Sequence, residues 1–309
     1  MQSRDTFSSC HPVVNFLYFG LVLLFTMCFT HPLTRFVSVA GALAYDVYLN
    51  GKKATRFTLM YMLPMLLLTA ILNPTFSHEG VTILWYFPNG NPLTLESILF
   101  GGAAALMLVA VVLWMACYST VMTSDKFVYL FGRIIPALSL VLSMTLRFIP
   151  KFRTQMHAVS ESQRCVGRDM HNGGVIQRMK NGVTILSILL TWVLENAIET
   201  ADSMRGRGYG LPGRTAYSIY KFDDRDRYAL LWLGFCGVTI IGAWIAKGFY
   251  WNWYPRVKFT PFMPIVIFFH LVYLALCFTP LAMNIYADRQ WEKTQSGSSA
   301  PFRKGITDK

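Results

Sequence analysis

Apolar residues in this chain are bunched into long runs instead of being spread periodically along it. Measured from charge to charge, 12–34, 57–78, 97–124, 228–246 and 259–287 are long enough to cross a bilayer, because a crossing helix needs about 20 mostly apolar residues. The stretch 36–51 is interrupted by Asp46, which leaves a sixth span open. Two further runs are strongly apolar but short. "IIPALSLVLSMTL" (134–146) is closed by Arg133 and Arg147, and "NGVTILSILLTWVL" (181–194) by Lys180 and Glu195. At 13 and 14 residues they suit interfacial, re-entrant or buried segments, whose runs are about 10–14 long. The pattern predicts an all-α polytopic membrane protein with five or six transmembrane helices. Between them it places two long amphipathic helices that do not cross.

In the second amphipathic helix, Leu186, Leu190, Val193, Ala197, Ala201 and Met204 recur at steps of three and four and define one face. Glu195, Glu199 and Asp202 fall on the other side, with Asp202 spaced to pair with Arg205. The first shows Phe148, Phe152, Met156 and Val159 along one face, with Arg147 and Lys151 beside it. Both run out into a basic, glycine-containing end, "SQRCVGRDMHNGG" and "SMRGRGYG". Helix capping accounts for part of this. Cations at a helix C-terminus gain about 0.3–1 kcal/mol from the macrodipole, and glycine suits the residue just past the last turn. Capping does not say why both ends are alike, with Arg164 and Arg205 standing 41 residues apart. Two basic tips on one surface also suit docking, since arginine binds carboxylates bidentately. Both readings stand at this point.

Composition agrees with a membrane protein. Of 309 residues, 54% are hydrophobic and 14% charged, against about 25% charged in soluble domains. The first run carries no clear small-residue cleavage site before His31 and Pro32, so it is expected to be retained as a helix. The net charge of +12 would otherwise suggest nucleic acid, but in a membrane protein it points to cytoplasmic loops. The segment 147–182 carries seven basic residues against Glu161 and Asp169, and 199–228 carries six basic and five acidic residues. The loop 50–57 holds Lys52, Lys53 and Arg56, whereas 73–94 has neither lysine nor arginine. These asymmetries place 50–57, 147–182, 199–228 and the C-terminal tail inside. The outer loop 247–258 runs against them with Lys247, Arg256 and Lys258. The resulting division is N-terminal transmembrane helices 1–126, a cytoplasmic-face module 127–215, a linker 216–228, C-terminal transmembrane helices 229–287 and a tail 288–309 expected to be disordered.

Catalytic chemistry is thin. Cysteines 10, 28, 117, 165, 236 and 277 are scattered without metal-ligand spacing. "HEGVT" lacks the second histidine of a zinc-protease motif, and His78–Glu79 reads as a solvated turn. "GYGLPGRT" (208–215) approaches a phosphate-binding loop, but it follows an amphipathic helix and contains Pro212, where such a loop needs a preceding strand and a following helix. "WYF" (85–87) and "FYWNWY" (249–254) read as interfacial aromatics. The long spans hold almost no ionisable residues, which argues against an ion-coupled carrier. No cofactor, metal site or catalytic residue is expected.

With "HPLTRF" (31–36), "NPTFSHEGVTILWYFPNGNPLTLE" (73–96), "GRIIPALSLVLSMTLRFIPKF" (132–152) and the two helix ends, the chain resembles the transmembrane T component of energy-coupling factor (ECF) transporters. That resemblance implies a non-catalytic scaffold of an ABC importer in a prokaryotic cell membrane. It also implies partners: two cytoplasmic ATPase subunits and a small substrate-binding membrane subunit, with uptake of a vitamin or other micronutrient. The family's Ala-Arg-Gly motifs at the ends of two coupling helices enter grooves on the ATPases. Here the second motif corresponds to Gly206-Arg207-Gly208, preceded by Arg205, and the first to Cys165-Val166-Gly167, with valine in the arginine place and Arg164 and Arg168 flanking it. The alternative is a stand-alone channel or carrier, which would need a polar path through the spans. An intramembrane enzyme would need a His/Asp/Glu cluster at membrane depth.

Overall fold

The computed structural model describes residues 5–77, 80–86, 92–132, 136–168, 174–212, 220–254, 258, 259, 261 and 263–298. The chain divides into two compact units, 1–123 with 221–309, and 124–220. The expected module 127–215 falls within the second.

The first unit is a helical bundle. Helices α1 (Pro12–Cys28) and α2 (Pro32–Asn50) open with the same device. His11 and His31 are the N-caps, their ring Nδ1 atoms accepting the Val13 and Leu33 N–H groups at 3.3 and 3.2 Å. A proline follows each at the first helical position, where its missing N–H costs nothing. Pro32 therefore starts a helix instead of continuing one, and Phe29 turns extended (φ −88°, ψ 124°). This corrects the expected span 12–34. The 17 residues of α1 cover about 26 Å, short of a hydrocarbon core about 30 Å thick.

Both helices explain their own composition once packed. From α1, Val14, Tyr18, Phe19, Val22 and Phe25 enter the central core. The buried face of α2 is largely polar or small, with Thr34, Arg35, Ser38, Gly41, Ala42 and Asp46 beside the one large core residue Tyr45, while Leu33, Phe36 and Val47 are exposed. That inversion is membrane logic: without a hydrophobic drive between helices, close backbone approach and interhelical hydrogen bonds hold them together. Asp46, which left 36–51 open, accepts the Asn50 amide at 2.8 Å on this buried face. Ser38 Oγ meets Thr26 Oγ1 at 2.8 Å and accepts the Trp114 indole N–H at 2.9 Å. Thr26 in turn meets the Tyr273 hydroxyl at 3.2 Å. One serine thus ties α1, α2, α5 (Leu95–Val121) and α10 (Pro264–Ser298). A Cβ on Gly41 would meet Cys277 Cβ at 3.0 Å, so glycine lets α2 and α10 approach closely, and a larger residue would have to push α10 back by a few tenths of an ångström.

Helix α3 (Lys52–Phe57) runs through a π turn, Thr58–Met62, into α4 (Leu63–Phe76). Strand β1 (Ile83–Tyr86) pairs antiparallel with β2 (Pro92–Thr94) inside the expected outer loop. Helix α6 (Ser124–Gly132) and the longer α7 (Pro136–Cys165) and α8 (Val175–Gly206) form the second unit. Helix α9 (Asp224–Ile245) returns to the bundle, followed by β3 (Trp251–Asn252) and β4 (Lys258–Phe259), an antiparallel pair. Helix α10 runs on through 288–298, the first half of the segment expected as a disordered tail.

Five helices among the described residues are long and apolar enough to cross a membrane: 54–76, 95–121, 175–206, 224–245 and 264–291. The third departs from expectation. Helix α8 extends the 181–194 run beyond its bounding charges, so by length and composition it joins the candidate spans.

Candidate functional site

Helices α7 and α8 meet through few side chains. Val159, Ile185 and Leu189 form a small buried cluster against Phe152. The Phe148 and Trp192 rings lie 5.7 Å apart, Lys151 Nζ sits 5.3 Å from the Trp192 ring centre, and the same nitrogen donates to Asn196 Oδ1 at 2.7 Å. On α7 the contact face is the expected one, Phe148, Phe152 and Val159, although Met156 is exposed. On α8 it is not. Ile185, Leu189 and Trp192 face α7, whereas Leu186 and Leu190 of the expected stripe are exposed. Met179, Val183, Leu186, Leu190, Leu194 and Ile198 form an exposed apolar line along α8.

Beyond this contact both helices end in the same backbone motif. At the α8 end, the Gly208 N–H donates to the Arg205 carbonyl at 2.9 Å and the Tyr209 N–H to the Met204 carbonyl at 3.0 Å. At the α7 end, the Gly167 N–H donates to the Arg164 carbonyl at 3.0 Å and the Arg168 N–H to the Gln163 carbonyl at 2.9 Å. These paired bonds define a Schellman cap, which closes around a left-handed residue. Gly167 (φ +78°) and Gly208 (φ +73°) are those residues. The two caps superimpose position by position: Arg164 on Arg205, Cys165 on Gly206, Val166 on Arg207, Gly167 on Gly208, and Arg168 on Tyr209.

This equivalence shows what the sequence reading missed. Both ends carry the spacing R-x-x-G, "RCVG" and "RGRG", and the arginine of that spacing occupies the same turn of each cap. Arg164, Arg168, Arg205 and Arg207 are all exposed. The expected Asp202–Arg205 pair does not form, and Arg205 has no ion-pair partner among the described residues. The structure gathers each motif at its own helix end. It does not merge the two into one site.

Gly206 and Gly208 differ physically. A Cβ on Gly206 would meet nothing within 4 Å, whereas at Gly208 it would meet Leu211 Cδ1 at 3.0 Å in a left-handed conformation. Gly206→Ala is expected to raise stability by about 0.5–1 kcal/mol through helix propensity. Gly208→Ala should lower it by roughly 1–2 kcal/mol. Paired thermal melts in one detergent check both signs.

Gly213 to Thr215 of the phosphate-loop-like stretch, and His78–Glu79, lie outside the described residues. Gly208, at the start of that stretch, is spent on the helix cap. No group of three or more His, Cys, Asp or Glu side chains is placed to hold a metal among the described residues.

A sequence model of the CbiQ family, described as "Cobalt transport protein", matches residues 6–217. The chain is similar to the energy-coupling factor transporter transmembrane protein EcfT of Lactobacillus helveticus (strain DPC 4571), 36% identical over 94 residues, which is 30% of this chain and 34% of that one. It is similar to EcfT 1 of Listeria monocytogenes serotype 1/2a (strain 08-5578), 27% identical over 248 residues, covering 74% of this chain and 89% of the relative. EcfT of Lactococcus lactis subsp. cremoris (strain MG1363) is 34% identical over 90 residues, 29% of this chain and 34% of its own. The chain thus spans about a third of the Lactobacillus and Lactococcus relatives and most of the Listeria one.

Proposed function

This chain belongs to the CbiQ family of cobalt transport proteins, and from that premise we propose that it is the transmembrane coupling subunit of an energy-coupling factor importer. The observation that carries the reading is the pair of matching caps, each presenting an exposed arginine one turn before its left-handed glycine. With α8 lying along the inner face of the membrane and not crossing it, two cytoplasmic ATPase subunits dock on these tips, one at Arg164 and its neighbours Cys165 to Arg168, the other at Arg205 to Gly208. The equivalence of Arg164 with Arg205 supports Arg164 over Arg168 as the docking arginine of the first motif, where Val166 stands in place of the charge that Arg207 carries in the second. A bidentate guanidinium–carboxylate pair gives each tip direction as well as affinity.

Hydrolysis belongs to the separate ATPase chains. When they close on ATP, the tips move with the grooves that hold them. The α7–α8 contact is a small cluster with one lysine–asparagine bond, so the two helices can pivot without breaking a large core. The exposed apolar line on α8 carries the substrate-binding membrane subunit, which selects the cargo, a vitamin, metal ion or other micronutrient. Pivoting of that surface reorients the subunit.

The test is a distance measurement within the assembled complex. Cys165 is exposed, and Cys28 is the other exposed cysteine among the described residues. A spin-label pair at Ala158→Cys and Ala201→Cys, exposed positions outside the docking tips, in a Cys28→Ser/Cys165→Ser background, reports the separation of the two helices near their ends. The distance distribution is expected to shift on ATP addition with the ATPases bound and to stay fixed in the isolated chain. A distribution unmoved by ATP in the complex would exclude the pivot.

A further inference from the structure

We propose that the groove between α9 and α10 binds a phospholipid with an anionic headgroup. The inference uses only the membrane reading of the chain, not the docking of ATPases. The groove is about 520 Å³ in volume. Its walls come from Tyr228 and Trp232 on α9 and Phe278, Ala282 and Met283 on α10, with Arg225 at one end. Arg225 and Trp232 are seven residues apart, about 10 Å along the helix, which matches a headgroup phosphate followed by the first part of an acyl chain.

Polar groups deeper in the groove are already satisfied. The Trp232 indole N–H donates to Thr279 Oγ1 at 3.1 Å, and that hydroxyl donates to the Ala275 carbonyl at 2.7 Å. Arg225 is different. One of its nitrogens lies 3.3 and 3.5 Å from the Ser9 hydroxyl and carbonyl, both long, and no carboxylate pairs with it among the described residues. The adjacent Asp226 is buried and turned inward, accepting the His11 and Asp223 N–H groups at 2.9 and 3.2 Å. Asp224 is exposed, but a neighbouring helical residue projects about 100° round the axis.

The location fits as well. Arg225 stands in the first turn of a helix that is apolar enough to cross the membrane, one turn before the exposed Tyr228. A cation at headgroup level with aromatics just below it is where a phosphodiester meets the hydrocarbon boundary. An apolar trough ended by an unmatched guanidinium complements an anionic lipid. A purely apolar partner helix would leave that charge unused.

The full chain, purified in detergent and stripped of lipid, is titrated with dioleoylphosphatidylglycerol and, separately, with dioleoylphosphatidylcholine, bound lipid being read by native mass spectrometry. Both lipids offer Arg225 a phosphodiester, but phosphatidylcholine adds a choline cation beside the guanidinium, so wild type is expected to prefer the net-anionic lipid by about tenfold. Arg225→Gln should bring the two affinities together. Ala282→Trp, which fills the trough, should weaken both lipids. Arg227→Gln, an exposed cation of the same segment outside the lining, should leave the preference intact. Equal binding of the two lipids by wild type would overturn the proposal. So would an equal loss with Arg227→Gln, which marks diffuse attraction, or binding of free glycerol 3-phosphate as tight as that of the lipid, which marks an anion site only.

Discussion

Replacing Arg164 and Arg205 together by alanine is expected to detach both ATPases while leaving the membrane bundle folded. Each arginine is exposed at a helix end, so its loss removes no core packing. A hydrogen bond to a charged group contributes about 1.5–3 kcal/mol, and two such docking points weakened at once should lower complex recovery by about a hundredfold or more. The single variants separate the motifs. If Arg164 and Arg205 do the same work in superimposed caps, each single substitution should release one ATPase-binding tip and cost a comparable amount. Val166→Arg should strengthen the first tip by restoring the charge that Arg207 supplies to the second. Quantitative immunoblotting of ATPase recovered with the tagged chain, normalised to the chain, reads all four.

The second large effect is expected on α8. Leu190 is 59% exposed at the centre of the line Met179–Val183–Leu186–Leu190–Leu194–Ile198. A continuous apolar surface of this kind marks a contact with protein or lipid. Leu190→Arg puts a charge into that contact and should reduce recovery of the substrate-binding subunit by more than about tenfold, the usual scale of a buried, unpaired charge at an interface. ATPase recovery should be unchanged, because the tips lie elsewhere. Leu190→Ala should have a smaller effect of the same sign. Loss of both partners together would mean that the variant unfolds the helix pair, and loss of neither would assign the line to lipid.

How far the sequence foretold this arrangement depends on how much each residue type reveals about its neighbours. Phe148, Phe152 and Val159 were legible as the inner face of α7 because the rest of that helix is polar enough for periodicity to choose. On α8 it cannot choose. Ile185, Leu186, Ile188, Leu189 and Leu190 are apolar around most of the helix, so a stripe through Leu186 and Leu190 does not mark the face that packs on α7, which runs through Ile185 and Leu189. The glycines of the tips were readable as caps, yet the equivalence of Arg164 and Arg205 needed the hydrogen bonds. The repeated His-Pro that ends one helix and begins another lay inside an apolar run that read as one span. Ser38 gave no warning of its role, since one serine in an apolar stretch does not name Thr26, Trp114 and Tyr273 as partners. Asp202 and Arg205 had the right spacing to pair and do not pair, which leaves the Arg205 guanidinium available.

The central claim is that this chain transmits the motion of separate ATPases to a separate substrate-binding subunit. Affinity purification of the tagged, full-length chain from its native membranes, with mass-spectrometric identification of what comes with it, tests that most directly. The account predicts two ATP-binding proteins and a small membrane protein, with the ATP-binding proteins lost from the Arg164→Ala/Arg205→Ala chain purified alongside. A chain that arrives alone, or that keeps its ATPases without those arginines, would contradict it and leave "MRGRGYG" as a helix cap.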